Sequence, residues 1–177
     1  MNATTVPSPY APATAANAVR LERLLPGPVE RVWSYLTEGS LRRQWLADGE
    51  MTLAVGAPFE LAWRNDELTD PPGRRPDGFG AEHRMQSTIT ALEPPHHLSF
   101  TWGPGEVSFT LEPRGTQVLL LIEHRGISDH GNLLMIGAGW HTHLDVLAAR
   151  LGDTVPEPFW DQWARLREEY AVRLAQA

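Results

Sequence analysis

The sequence predicts an α+β domain in which one antiparallel β-sheet wraps around a long helix near the C-terminus. Two patterns carry this prediction. Apolar residues alternate with polar ones through most of residues 50–125, which is the period of a β-strand. Between residues 133 and 151 they recur at helical spacing. A sheet with one apolar face and a helix with one apolar stripe bury both surfaces by packing together.

The N-terminal part of this domain is predicted to hold a strand and two short helices. Residues 18–25 alternate between apolar and polar side chains, and a Pro-Gly-Pro sequence ends them. Pro28 suits the first position of a helix because its missing N–H would be unpaired there. That helix ends at Gly39, and a second short helix is expected to carry Leu41, Trp45 and Leu46.

Six further strands are predicted in the middle of the chain. They centre on residues 51–55, 59–63, 85–91, 98–102, 107–111 and 118–124. The last of them is apolar on both faces, as expected for a strand that is central or covered on each side. Residues 65–80 are rich in Pro, Gly, Asp and Arg, which predicts a long exposed loop rather than a core element.

Two helices complete the chain. The first has a stripe formed by Leu133, Ile136 or Gly137, Trp140, Leu144, Leu147 and Leu151, and Gly152-Asp153 ends it. The second, after Pro158, has a stripe formed by Phe159, Trp163, Leu166, Tyr170 and Leu174. We expect this stripe to dock on its own domain; the alternative is a homodimer interface. The predicted organisation is a disordered tail (1–17), a domain (18–152) and a helical extension (153–177).

Composition excludes several classes of function. The 177 residues contain no cysteine, which removes disulfides and thiolate chemistry, and no lysine, which removes Schiff bases and P-loops. The net charge of −7 provides no basic field for nucleic acid or anionic lipid. No secretory signal and no apolar stretch of roughly 20 residues is present. We therefore expect a cytoplasmic protein with no nucleic-acid or membrane partner.

The histidine pair His141 and His143 invites a metal-site interpretation. On a helix, however, two residues separated by two positions point roughly 200° apart. We therefore expect no metal and no cofactor. His141 and Asp145 share a helix face and are expected to form a solvated surface pair. We assign no catalytic residue, because no nucleophile motif and no facing carboxylates occur.

Five segments of the sequence resemble one family. They are PVERVWSYLTEGSLRRQWL, VGAPFEL, HLSFTWG, TQVLLLIEHRG and GWHTHLDVLAARL. Together they are similar to the activator of 90-kDa heat-shock protein ATPase homologue family, in the START-related SRPBCC superfamily, over roughly residues 18–152. The resemblance implies a helix-grip fold with an apolar cavity between a curved sheet and the long helix. The loop at 65–80 and the helix after Pro156 depart from the family pattern.

The candidate ligand-binding residues are large side chains on the inward faces of these elements. They are Phe59, Trp63, Met85, Phe100, Trp102, Phe109, His124, Trp140 and Leu144. Strand parity places the rings on one side of the sheet, where they either wall a cavity or fill a solid core. His124 shares the face of Val118, Leu120 and Ile122, so it either supplies a polar point in the cavity or is a satisfied core histidine.

These observations favour a non-enzymatic protein that holds a hydrophobic small molecule between the sheet and the long helix. Two alternatives come from the resemblance. Relatives in the superfamily include polyketide cyclases and aromatases, which implies an enzymatic alternative. The family name implies a stress-related co-chaperone with a chaperone partner.

Overall fold

The strands form one curved, open, antiparallel sheet. The computed structural model describes Ser8, Tyr10 and residues 17–175. In chain order its strands are β1 (Ala18–Pro26), β2 (Pro58–Trp63), β3 (His83–Glu93), β4 (His97–Trp102), β5 (Gly105–Arg114) and β6 (Gln117–Arg125). In space they follow the order β1-β6-β5-β4-β3-β2, and all neighbours are antiparallel. The last strand thus pairs with the first and lies between β1 and β5.

Four α-helices lie within residues 17–175. They are α1 (Val29–Thr37), α2 (Gly39–Arg42), α3 (His130–Gly152) and α4 (Phe159–Ala175). The side chain of Asp129 begins α3 by accepting a hydrogen bond from the backbone N–H of Asn132 at 2.9 Å. The helix ends as predicted, where Asp153 adopts a left-handed conformation. None of the helices in the described residues is both long and apolar enough to cross a membrane.

The long helix α3 is covered on two sides. The predicted stripe is buried, including Trp140, Leu144 and Leu147, and the inward face of β6 is buried as its parity predicts. On its other side α3 packs against α4 of the same chain. Phe159, Trp163, Leu166 and Tyr170 are buried there, and Leu174 is partly buried. The structure confirms the α+β architecture and shows the terminal helix extending the core of its own domain.

The predicted strand at residues 51–55 is wrong. These residues follow an irregular path, and Leu53 and Val55 are 42% and 65% exposed. The apolar alternation is real, but a strand also needs an open neighbour. The strand β3 already lies between β2 and β4. On the outer side of β2, Asp48 pairs with Ala62. Asp48 thus takes one position on this edge, and residues 51–55 form no ladder with the sheet.

Two further expectations need correction. The second helix is shorter than predicted, and Trp45 and Leu46 follow α2 in a turn although both are buried. The segment at 65–80 is not wholly exposed: it begins with a 3₁₀ turn, and Leu68 and Thr69 are buried. Its Pro- and Gly-rich composition describes an irregular backbone correctly, but composition does not report whether a loop packs against another element.

Most of the predicted tail, residues 1–17, lies outside the described residues. One described member, Tyr10, contacts the helical layer. Its hydroxyl donates a hydrogen bond to Glu169 at 2.5 Å, and the guanidinium of Arg173 lies 3.6 Å from the centre of its ring.

The packing of α4 on α3 predicts different costs for two truncations on the same helix. Leu166 is 2% exposed, so Leu166→Ala should lower the free energy of unfolding by about 2–5 kcal/mol through lost burial and a cavity. Val172 is 63% exposed, so Val172→Ala should stay within about 0.5 kcal/mol of the wild type. Urea denaturation at several protein concentrations measures both. Equal stability of the two variants would mean that α4 does not pack on α3 in solution.

Candidate functional site

A cavity of about 590 Å³ opens where α3, α4 and one end of the sheet meet. The ends of β2, β3 and β4 form one side, the middle of α3 forms the floor, and the first turns of α4 with residues 78–82 form the other side. Seven aromatic rings line it: Trp63, Phe79, Trp102, Trp140, Phe159, Trp160 and Trp163. Because the rings come from segments far apart in the chain, tertiary packing assembles the cavity.

Three of the nine residues predicted to bind a ligand line this cavity: Trp63, Trp102 and Trp140. The other six lie away from it. Phe59, Phe100, Phe109, His124 and Leu144 are buried, and Met85 is partly buried against the same core.

Ring stacking explains why the phenylalanines belong to the core. The ring centres of Phe59 and Phe100 lie 5.2 Å apart, those of Phe100 and Phe109 lie 5.7 Å apart, and Phe109 lies 5.7 Å from Trp140. At these separations the rings fill the space between the sheet and α3. Strand parity predicted correctly which face of the sheet these residues share. It did not predict which of them lie in the filled core and which line the cavity.

His124 is a satisfied core histidine. The indole N–H of Trp140 donates to Nδ1 of His124 at 3.0 Å, and the imidazole is 2% exposed. Burial lowers the pKa of His124 to about 4, so the ring is neutral near pH 7. Since Nδ1 accepts, the ring proton resides on Nε2. His124 was predicted to supply a polar group in the cavity. In the structure it instead accepts the hydrogen bond that joins α3 to β6.

The cavity does contain a buried histidine, His143, which the sequence analysis treated only as half of a metal pair. Its Nδ1 lies 2.8 Å from the backbone oxygen of Trp45, and burial lowers its pKa to about 4. Its ring centre is 4.9 Å from that of Phe159. The signal that could have revealed it is its position three residues after Trp140, on the same side of a helix.

The loop at 65–80 and the helix α4 build one side of the cavity together. The indole of Trp160 donates to Asp66 at 2.7 Å, and the backbone N–H of Trp160 donates to the carbonyl of Pro72 at 2.9 Å. The backbone N–H of Phe159 donates to the Thr69 hydroxyl at 2.9 Å. The two backbone bonds satisfy donors that the first turn of any helix leaves unpaired. They also fix the loop at 65–75 onto α4.

A glycine permits this close docking. Gly73 has φ of +78°, and a Cβ there would lie 2.8 Å from the backbone nitrogen of Asp161. Any side chain would therefore push the loop away from α4.

Phe79 lies at the rim of the cavity. It is 41% exposed, and its ring centre lies 5.6 Å from that of Trp160 and 5.3 Å from that of Trp163. Its neighbour Gly78 has positive φ, and a Cβ there would meet open space. The aromatic stacking therefore positions this part of the loop.

The His141–Asp145 pair is not solvated, contrary to expectation. His141 is 4% exposed; its Nδ1 lies 3.0 Å from the Tyr170 hydroxyl and its Nε2 lies 3.5 Å from the Asp145 carboxylate. The expectation failed because α4 covers this face of α3. Burial first, and then the nearby positive charge of Arg23, lower the pKa of His141 to about 3. In the part of the chain that is described, no three His, Asp or Glu side chains are grouped to hold a metal ion.

The architecture is an α+β helix-grip-like fold, in which a curved antiparallel sheet packs on a long helix near the C-terminus. The sheet, the long α3 and the cavity at their junction define a protein of this class. The chain belongs to the family described as "Activator of Hsp90 ATPase homolog 1-like protein", whose family model matches residues 26–152. The match ends where α3 ends, so α4 lies beyond it.

Several solved structures are similar to this chain. The protein encoded by gene BPP1335 of Bordetella parapertussis is 36% identical, with a TM-score of 0.79 over 98% of this chain and 95% of that one. CalU16 of Micromonospora echinospora is 22% identical, with a TM-score of 0.64 over 94% and 95%. A conserved protein of unknown function from Enterococcus faecalis is 20% identical, with a TM-score of 0.70 over 94% and 90%. The last two show the fold alone. No curated protein matches the chain.

The buried histidines predict that the fold loses stability in acid. The pKa is about 4 for His124 and His143 and about 3 for His141 in the folded protein, but about 6.5 for a histidine in an unfolded chain. Between these values the unfolded state binds more protons, so stability is complete above about pH 6.5 and falls as the pH drops toward 4. Urea denaturation should show a loss of up to about 1.4 kcal/mol per pH unit for each histidine.

One substitution isolates the contribution of His124 to this pH dependence. His124→Asn keeps an oxygen that can accept the Trp140 N–H and removes one titrating imidazole. Its loss of stability between about pH 6.5 and pH 4.5 should therefore be smaller than that of the wild type. Burial raises the pKa of Asp145, which acts in the opposite direction, so the comparison between the two proteins is the test. Parallel curves would contradict a neutral, buried His124.

Proposed function

We propose that this protein binds a hydrophobic small molecule in the cavity between α3, α4 and the sheet, without catalysing a reaction on it. The observation that carries the proposal is the lining of seven aromatic rings around about 590 Å³. Ligand sites in proteins typically measure roughly 300–1,000 Å³ and combine apolar walls with few polar groups. This cavity has both properties.

The burial of the rings supports the proposal further. Trp63, Phe159 and Trp160 are each at most 6% exposed, so the walls are held by surrounding packing before a ligand arrives. A preformed site loses less conformational entropy on binding than a site that must be ordered. The indole of Trp160 is also fixed by its bond to Asp66.

The charges around the cavity favour binding over catalysis. The described lining residues include one carboxylate, that of Glu82. It forms ion pairs with the guanidinium groups of Arg64 and Arg84 at 2.9 and 3.1 Å. His143 has a pKa of about 4, which is far from that of an efficient proton donor or acceptor near pH 7. The other imidazole of the lining, that of His83, is exposed and packs beside the Trp63 indole, with ring centres 5.5 Å apart.

A cavity-filling substitution tests the proposal. Gly139 lies in the cavity lining on α3, and a Cβ there would approach the Trp163 indole nitrogen only to 4.0 Å, which is ordinary contact. Gly139→Leu should therefore fill the cavity and also improve the helix propensity. Titration with the neutral apolar dye Nile red, followed by its fluorescence, should show binding to the wild type and at least about tenfold weaker binding to the variant.

The same helix offers a matched control. Gly152 lies at the end of α3, and a Cβ there would meet no atom within 4 Å, so Gly152→Leu adds the same side chain outside the cavity. This variant should bind the dye as the wild type does. Thermal melting of both variants verifies that they fold. Equal dye binding by wild type and Gly139→Leu, or no binding by the wild type, would contradict the proposal.

A further inference from the structure

We infer that the ligand of this cavity carries a hydroxyl or N–H group that donates a hydrogen bond to Nε2 of His143. The inference rests on the proposed binding function and specifies the chemistry of the molecule that is bound. It follows from the single role that the Trp45 carbonyl can play in its hydrogen bond with His143.

The tautomer of His143 is determined by its contact with Trp45. A backbone carbonyl can only accept a hydrogen bond, so Nδ1 of His143, which lies 2.8 Å from the Trp45 oxygen, must carry the proton. In the neutral ring the other nitrogen, Nε2, then has a free lone pair. The lowered pKa supports a neutral ring near pH 7. His143 therefore presents an acceptor and no second donor.

That acceptor has no hydrogen-bond partner among the residues that the structure describes, although His143 is only 7% exposed and lines the cavity. Oδ1 of Asn65, another lining residue, is also unpaired within the described chain, but it is fully buried, whereas Nε2 of His143 is not. An acceptor at the wall of an apolar cavity is costly to leave without a partner. A molecule in the cavity that carries a donor satisfies Nε2.

The aromatic surroundings favour a hydroxyl on a ring. The ring centre of His143 lies 4.9 Å from that of Phe159 and 6.4 Å from that of Trp140, so a group bonded to Nε2 lies beside aromatic walls. The indole N–H groups of Trp63, Trp102 and Trp163, which also line the cavity, make no hydrogen bond to the described residues. They can donate to an oxygen. A phenolic oxygen both donates and accepts, whereas a carbonyl or ether oxygen leaves Nε2 unpaired.

His124 cannot play this role. Its Nδ1 already accepts from Trp140, so its remaining nitrogen carries a proton and cannot accept. The two histidines thus have opposite tautomers, and His143 is the one of the two that lines the cavity and keeps a free lone pair.

Two probes that differ by one methyl group test the inference. In 2-naphthol the oxygen can donate, whereas in 2-methoxynaphthalene the same oxygen can only accept. Calorimetric titration of the full chain should show 2-naphthol binding roughly three- to tenfold more tightly, the range of one neutral hydrogen bond. In long-range ¹H–¹⁵N spectra the Nε2 resonance of His143 should identify the Nδ1–H tautomer. It should shift with 2-naphthol and not with the ether.

Two substitutions complete the experiment. His143→Asn keeps an amide N–H for the Trp45 carbonyl but has no acceptor at the position of Nε2, so the ratio of the two affinities should fall to about one. His143→Gln carries its amide at the distance of Nε2 and should retain part of the preference.

The outcomes separate this inference from the proposed function. Equal binding of the two probes by the wild type, or an undiminished preference in His143→Asn, would overturn the inference and leave the binding function intact. Failure of the wild type to bind either probe would overturn both.

Discussion

The hydrogen bond between Trp140 and His124 is the constraint on which the site depends. It joins the middle of α3 to β6 at 3.0 Å, in a region where neither group can bond to water instead. An indole N–H left unpaired there would cost roughly 1–3 kcal/mol, so the position of the helix over the sheet is fixed within narrow limits. The Trp140 ring then separates two regions. On one side it contacts Phe109 in a filled core, and on the other it contacts Trp102 at the cavity.

The same principle sets the chemistry of two of the three buried histidines, His124 and His143. Each has a partner with a single possible role: the Trp140 indole only donates, and the Trp45 carbonyl only accepts. The partners therefore select opposite tautomers. Because burial keeps both rings neutral well below pH 7, these assignments do not change across the physiological range. The acceptor nitrogen of His124 is used in a hydrogen bond that holds the fold together. In His143 the donor nitrogen is used in this way, and the acceptor nitrogen stays free.

Local sequence patterns were sufficient to locate the strands and helices. They were not sufficient to tell which inward-facing residues line the cavity and which lie in the filled core. Periods of two and 3.6 located all five strands that follow the first helices and both long helices, because these patterns report which face of an element is buried. They could not separate Phe100, which stacks in the core, from Trp102, which borders open space. The alternation around Leu53 failed for a related reason, since a strand needs a free neighbour that the sequence alone does not display. The exposure expected for His141 failed because α4 covers it.

The cavity draws one side from the sheet and α3 and the other from the loop at 65–80 and α4. The family match includes the loop but stops before α4. Because α4 also packs on α3, it contributes both to the core and to the wall of the cavity. A substitution at Phe79, which is 41% exposed, changes the rim of the cavity without touching the contact between the sheet and α3. A family member with no helix at the position of α4 would have a wider opening at the same place. Under the proposed function, a ligand found for one such chain therefore does not transfer to another without inspection of this second wall.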